Sequence, residues 1–158
     1  MNFDNIDKTE IFDAFLGKYR DKIDLNSTIS VYNSDCQGGN IVQQLESTNN
    51  DSPYICDVEN FEIMRSESIC SACNFTQKEE FALIAHELGH LNIKLNDIEC
   101  NDTQDEECKA DDYAVKLGLK SELKSALSKM LTFCSDDWLK TLEISDYESD
   151  LEKRITRL

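Results

Sequence analysis

The sequence predicts an α+β fold in which a small mixed β-sheet packs on a long helix, and an acidic helix follows that one. Three observations predict it. Short runs rich in β-branched and aromatic residues fall in the first half, at 28–32, 54–58 and 61–65, as strands require. The second half carries apolar residues at helical spacing behind capping signals, as helices require. The chain has 158 residues, enough for one domain to bury a core without disulfide staples. We read residues 1–158 as one domain, with a helix and sheet over 1–75 and a helical part over 76–158.

Each element follows in order. Asp7 and Glu10 have the spacing of an N-terminal cap ahead of Ile11, Phe12, Phe15, Leu16 and Tyr19, which share a helical face. Residues 28–32 read as a strand, and 33–40, with Gly38 and Gly39, as a loop. Residues 41–45 fit either a short strand or a helical turn. Residues 47–53 are polar, hold the only proline and read as a loop. Residues 54–58 and 61–65 are two strands joined by a tight turn at Glu59-Asn60, with 61–65 expected at the sheet edge. Residues 66–74 carry no decisive pattern. Thr76 and Glu79 form a capping box that opens the strongest helix, striped by Phe81, Ile84, Ala85 and Leu88. After an acidic loop at 96–106, Thr103 to Glu106 cap a second helix that Gly118 ends. Ser121 opens a third, with Leu123, Ala126, Leu127, Met130 and Leu131 on one face. Ser145 to Glu148 cap a last one carrying Tyr147, Leu151, Ile155 and Leu158.

Acids outnumber bases 32 to 16, for a net charge of −16. That balance disfavours nucleic-acid phosphates and anionic lipid surfaces. The first residues are acidic and lack an apolar signal region, and the longest apolar run, 81–85, is too short to span a bilayer. Seven cysteines, an odd number, are expected as reduced thiols. The expectation is a soluble, cytoplasmic protein without membrane insertion.

The chemistry concentrates at His86-Glu87-Leu88-Gly89-His90. Residues four apart share a helical face, so His86 and His90, the only histidines, can hold one metal ion. This is the H-E-x-x-H pattern, in which two imidazoles bind zinc and the glutamate handles a proton. Gly89 points to close backbone packing. Downstream, Glu107 and Asp111 are also four apart. Glu107 can complete the zinc site while Asp111 hydrogen-bonds a ligand imidazole; the alternative is a solvated acidic face.

The pair of motifs resembles the gluzincin metallopeptidases. The string Glu107-x-x-Ala110-Asp111-x-Tyr113-Ala114-x-x-Leu117-Gly118 is similar to the family of the HtpX heat-shock protease and the CAAX prenyl proteases, and Glu152-Lys153-Arg154-Ile155-x-x-Leu158 to its C-terminal segment. The resemblance covers about residues 81–158 and implies a zincin-like fold in a soluble, minigluzincin-like form. It implies one zinc held by His86, His90 and Glu107, with Glu87 as general base. The chain departs from that family in lacking membrane spans and the histidine-proline ahead of the last segment.

The expected activity is zinc-dependent hydrolysis of peptide bonds in a peptide or protein substrate presented to the edge strand 61–65. With no histidine left to stabilise an oxyanion, Arg154, Tyr147 and Tyr113 are the candidates. Two other readings compete: a regulatory protease of the ImmA/IrrE type that cleaves a repressor, and a zinc-containing binding module without turnover. Cys70 and Cys73, with Cys36 and Cys56, offer a second metal or redox site against the plainer reading of free thiols. Cys108 adjoins Glu107 but is expected to turn away. A latent state is also conceivable, with Glu99, Asp102 or Asp105 of the acidic loop on the metal.

Overall fold

A computed structural model describes residues 2–33, 52–136 and 142–158, with side chains 134–136 and 142–147 outside the description. The elements are β1 (Asn2–Asn5), α1 (Glu10–Tyr19), a 3₁₀ turn (Arg20–Lys22), β2 (Thr28–Asn33), β3 (Tyr54–Asp57) and β4 (Glu62–Arg65). They continue with α2 (Glu67–Cys73), α3 (Gln77–Leu95), α4 (Thr103–Lys116), α5 (Lys120–Asp136) and α6 (Leu142–Arg157). The class is α+β, helix-rich with one small mixed sheet.

The sheet order is β1-β2-β4-β3. β1 and β4 run parallel to β2, and β3 runs antiparallel to β4. The strand at 62–65 is therefore internal, and β3 is the edge on its side, correcting the expected order. The cause is β2, which takes the far side of β4, pairing Val31 with Ile63. β1 was not expected from sequence: four residues, Asn-Phe-Asp-Asn, show too little alternation to announce a strand.

Local chemistry explains the other boundaries. Thr9, not Asp7, stands before α1 and makes no side-chain cap. Asn5 instead pins the residue ahead of the helix, accepting from the Thr9 amide and donating to its carbonyl, while the Asp7 carboxylate accepts from the Asn33 amide. The turn between β3 and β4 spans Val58 to Phe61, because the Asp57 carboxylate accepts from the Glu59 and Asn60 amides. Residues 67–73 form α2, closed by Asn74 in the left-handed region. Asp102, one residue earlier than expected, caps α4 by accepting from the Asp105 amide. Gly118, at φ 81°, closes it with a Schellman pair, Gly118 to Val115 and Leu119 to Ala114. The last helix begins at Leu142, so Ser145 lies within it rather than capping it. The readings at 34–51 lie outside the described residues.

The capping box of α3 is complete: Thr76 Oγ1 accepts from the Glu79 amide, and Glu79 Oε2 from the Thr76 amide. Beyond it α3 is buried on nearly every face from Glu79 to Gly89, not on one stripe alone. The reason is that α3 is central. Phe81 meets Phe15 and Tyr19 of α1, with ring centroids at 5.7 and 5.8 Å, and α4 and α5 pack on its other sides. Gly89 permits the α4 contact, since a Cβ there would stand 2.6 Å from Ala110 Cα.

Candidate metal centre

The centre is built by α3, α4 and α6. His86 and His90 project from α3 one turn apart, their rings nearly perpendicular at 88°. Their Nε2 atoms are 3.2 Å apart. Glu107 of α4 faces both: Oε2 is 3.3 Å from His86 Nε2, and Oε1 is 3.4 Å from His90 Nε2. Donors held tetrahedrally at about 2.0–2.1 Å from one zinc ion would stand roughly 3.3 Å from one another. The two histidines and Glu107 thus form a possible metal-binding triad, the one such group among the described residues.

The other imidazole nitrogens are turned outward and held. His86 Nδ1 lies 2.8 Å from Asp111 Oδ1, and His90 Nδ1 lies 3.0 Å from Glu106 Oε1. A carboxylate at Nδ1 fixes the tautomer that leaves the Nε2 lone pair for a metal. Glu106 was missed in the sequence because it reads as one more acid of the cap; its adjacency to Glu107 was the available signal.

Arg154 of α6 organises the carboxylates. Its Nε and Nη2 donate to both oxygens of Asp111, and Nη1 lies 2.9 Å from Glu107 Oε2. Arg154 is 6% exposed and Asp111 0%. A side chain considered as an oxyanion donor is thus engaged in holding a ligand and the partner of another. Tyr113, the second candidate, is a core residue beside Asp24, its hydroxyl pushed up to about 12 by burial, and it does not line the cleft. The Tyr147 side chain lies outside the described residues.

Electrostatics follow the same contacts. Burial and the Arg154 charge push the His86 imidazole down, but hydrogen bonds to Asp111 and Glu107 prevail and hold it at about 9. Burial opposes ionisation of Glu107, yet both histidines and Arg154 keep it well below the usual carboxylate range. Glu87 is buried and shifts upward, chiefly by desolvation. The donor set is one carboxylate and two imidazoles, which suits zinc.

The triad opens on a cleft of about 430 Å³, lined also by Glu87, Cys56, Thr103 and Asp150. Edge strand β3 forms one wall with the half-buried Ile55 and Cys56, and Leu127, Met130 and Leu151 lie buried beneath the lining. Behind the wall, the Tyr54 hydroxyl donates to Glu80 Oε1 at 2.8 Å, and Arg65 Nε donates to the same oxygen at 2.7 Å.

None of the acids considered for latency joins the triad. Asp102 caps α4, Asp105 bonds Lys109 and the Asn101 amide, and the Glu99 carbonyl accepts from Lys109. Cys70 and Cys73 are buried free thiols on α2, and burial raises both, Cys73 to about 11. Cys56 is free in the cleft wall, raised by burial and by the Glu87 charge. Cys108 does not line the cleft and has the Gln104 amide 3.8 Å from its sulfur. Cys36 lies outside the described residues. No described helix is long and apolar enough to cross a membrane. Comparison with protein-family models, curated proteins and solved structures gives no match.

Proposed function

We propose that this chain is a zinc-dependent metalloendopeptidase of the gluzincin type, with a zincin-like fold and Glu87 as general base. One observation carries the reading. His86, His90 and Glu107 converge at 3.2–3.4 Å beside a buried glutamate, at the floor of an open cleft. The described residues supply three protein ligands at a cleft, which suits catalysis, whereas structural zinc is usually closed by four.

Zinc, when bound, supplies Lewis acidity at the scissile carbonyl and lowers the pKa of its water to about 7. The remaining work falls to the chain. Glu87, next to a ligand in sequence and raised by burial, accepts the proton of the attacking water and delivers it to the leaving amine. Asp111 and Glu106 keep the imidazoles oriented, and Arg154 fixes Asp111 and Glu107. Among the described residues β3 is the sheet edge at the cleft, so an extended peptide can add to the sheet there.

The test compares zinc-loaded wild type with Glu87→Gln on unfolded casein, with and without chelator. The expected result is cleavage by wild type, its loss with chelator, and a variant that retains zinc but has less than a tenth of the activity. Equal activity in the two proteins overturns the assignment of Glu87, and no cleavage by zinc-loaded wild type overturns the peptidase reading.

A further inference from the structure

The charges that line the cleft are unevenly committed. Among the described residues Arg154 is its only lysine or arginine, and its nitrogens are engaged by Asp111 and Glu107. Glu106 is turned to His90 and Glu107 to the triad. Asp150 differs. Its side chain is 50% exposed, and its one ion pair among the described residues is Lys153 at 4.0 Å, the outer limit of such a contact, on the same helix. Lys153 itself is 65% exposed and does not line the cleft.

The same cleft presents the half-buried apolar side chains of Ile55, Cys56 and Val58, while Leu127, Met130 and Leu151 are buried beneath its surface. A cleft that combines half-buried apolar side chains with one half-exposed acid matches a side chain with a long aliphatic stem and a cationic head. A net charge of −16 adds a long-range field that attracts cations and repels acidic segments.

We propose that the cleft selects cationic peptide segments, with Asp150 as the specificity residue that meets a substrate lysine or arginine. The proposal rests on the peptidase reading for turnover, but recognition can be measured without it.

The experiment titrates fluorescent peptides of one sequence, bearing lysine, leucine or glutamate at a single scanned position, into zinc-loaded Glu87→Gln protein. The lysine series is expected to bind about fivefold or more tighter than the glutamate series at its best position, and less so in high salt. Asp150→Lys in the same background should abolish or reverse the preference. Asp21→Lys, the same charge change on an exposed residue outside the cleft, should leave most of it. Equal binding of the three series overturns the proposal, as does an equal loss of preference in the two lysine variants, which would make the selectivity global. Retained basic preference without cleavage by the zinc-loaded wild type would overturn the peptidase reading and uphold this one.

Discussion

Arg154 grips Asp111 with two nitrogens, Nε at 2.9 Å from Oδ2 and Nη2 at 2.6 Å from Oδ1. The partners lie 43 residues apart and almost out of contact with solvent. Removing one member of such a pair strands the other as a buried charge, which costs about 3–5 kcal/mol. Arg154→Met should therefore destabilise the chain by that order in urea denaturation with chelator present. Arg154→Lys keeps the charge but not the fork and should fall between. Arg154→Met combined with Asp111→Asn should recover part of the loss.

Glu106 is expected to matter through His90 alone. Glu106→Gln keeps an acceptor but loses the charge, and should weaken zinc binding by about 10–100-fold, as partners of ligand imidazoles do. Glu107→Ala should lose most of the metal. Competition with a chromophoric chelator checks both, with one zinc per wild-type chain as the reference.

Gly89→Ala sets two effects against each other. Alanine is better than glycine inside a helix by about 1 kcal/mol. The new Cβ would meet backbone atoms of Ala110 at 2.6 Å, and such overpacking typically costs about 1–3 kcal/mol. The contact is with backbone, which cannot swing aside, so net destabilisation and weaker zinc binding are expected. A variant more stable than wild type in chelator would show that α4 retreats without cost.

Glu79 supplies a pH test away from the triad. Burial opposes its charge, but Lys129, Ser125 and the Thr76 amide hold its pKa below the ordinary 4.5. A carboxylate depressed in the folded state stabilises fully above its unfolded pKa, and the contribution is lost as pH falls through the folded one. Glu79→Gln should therefore cost most at neutral pH, with the difference from wild type shrinking below about pH 4.5. Urea midpoints across that range check it, and a constant difference would rule out the ionised pair as its source.

Local rules carried much of this architecture. The Thr76–Glu79 box and the placement of Gly118 needed only a few residues of context. The spacing of His86 and His90 put them on one face because a helix was already signalled. What failed was long-range. Strand order depends on which partner β4 finds, and nothing within residues 61–65 encodes that. Arg154 sits in an acidic, lysine-bearing stretch and reads as surface; its burial comes with the packing of α6 on α5 and its own bonds to Asp111 and Glu107 of α4. Glu106 had only its adjacency to Glu107 to set it apart from neighbouring acids, and its role shows in the 3.0 Å contact with His90.

The Tyr54–Glu80 bond has a mechanical consequence. Glu80 lies on the helix that carries His86 and His90, and Tyr54 opens the strand that walls the cleft. One jaw of the opening is thereby clamped to the same rigid bar that bears the histidines. A slip of β3 by one residue would turn Ile55 and Cys56 to opposite faces and tear the hydroxyl from a carboxylate that is itself gripped by Arg65. The height of the strand above the metal centre is thus a built-in gauge, set by the molecule's own skeleton before anything enters.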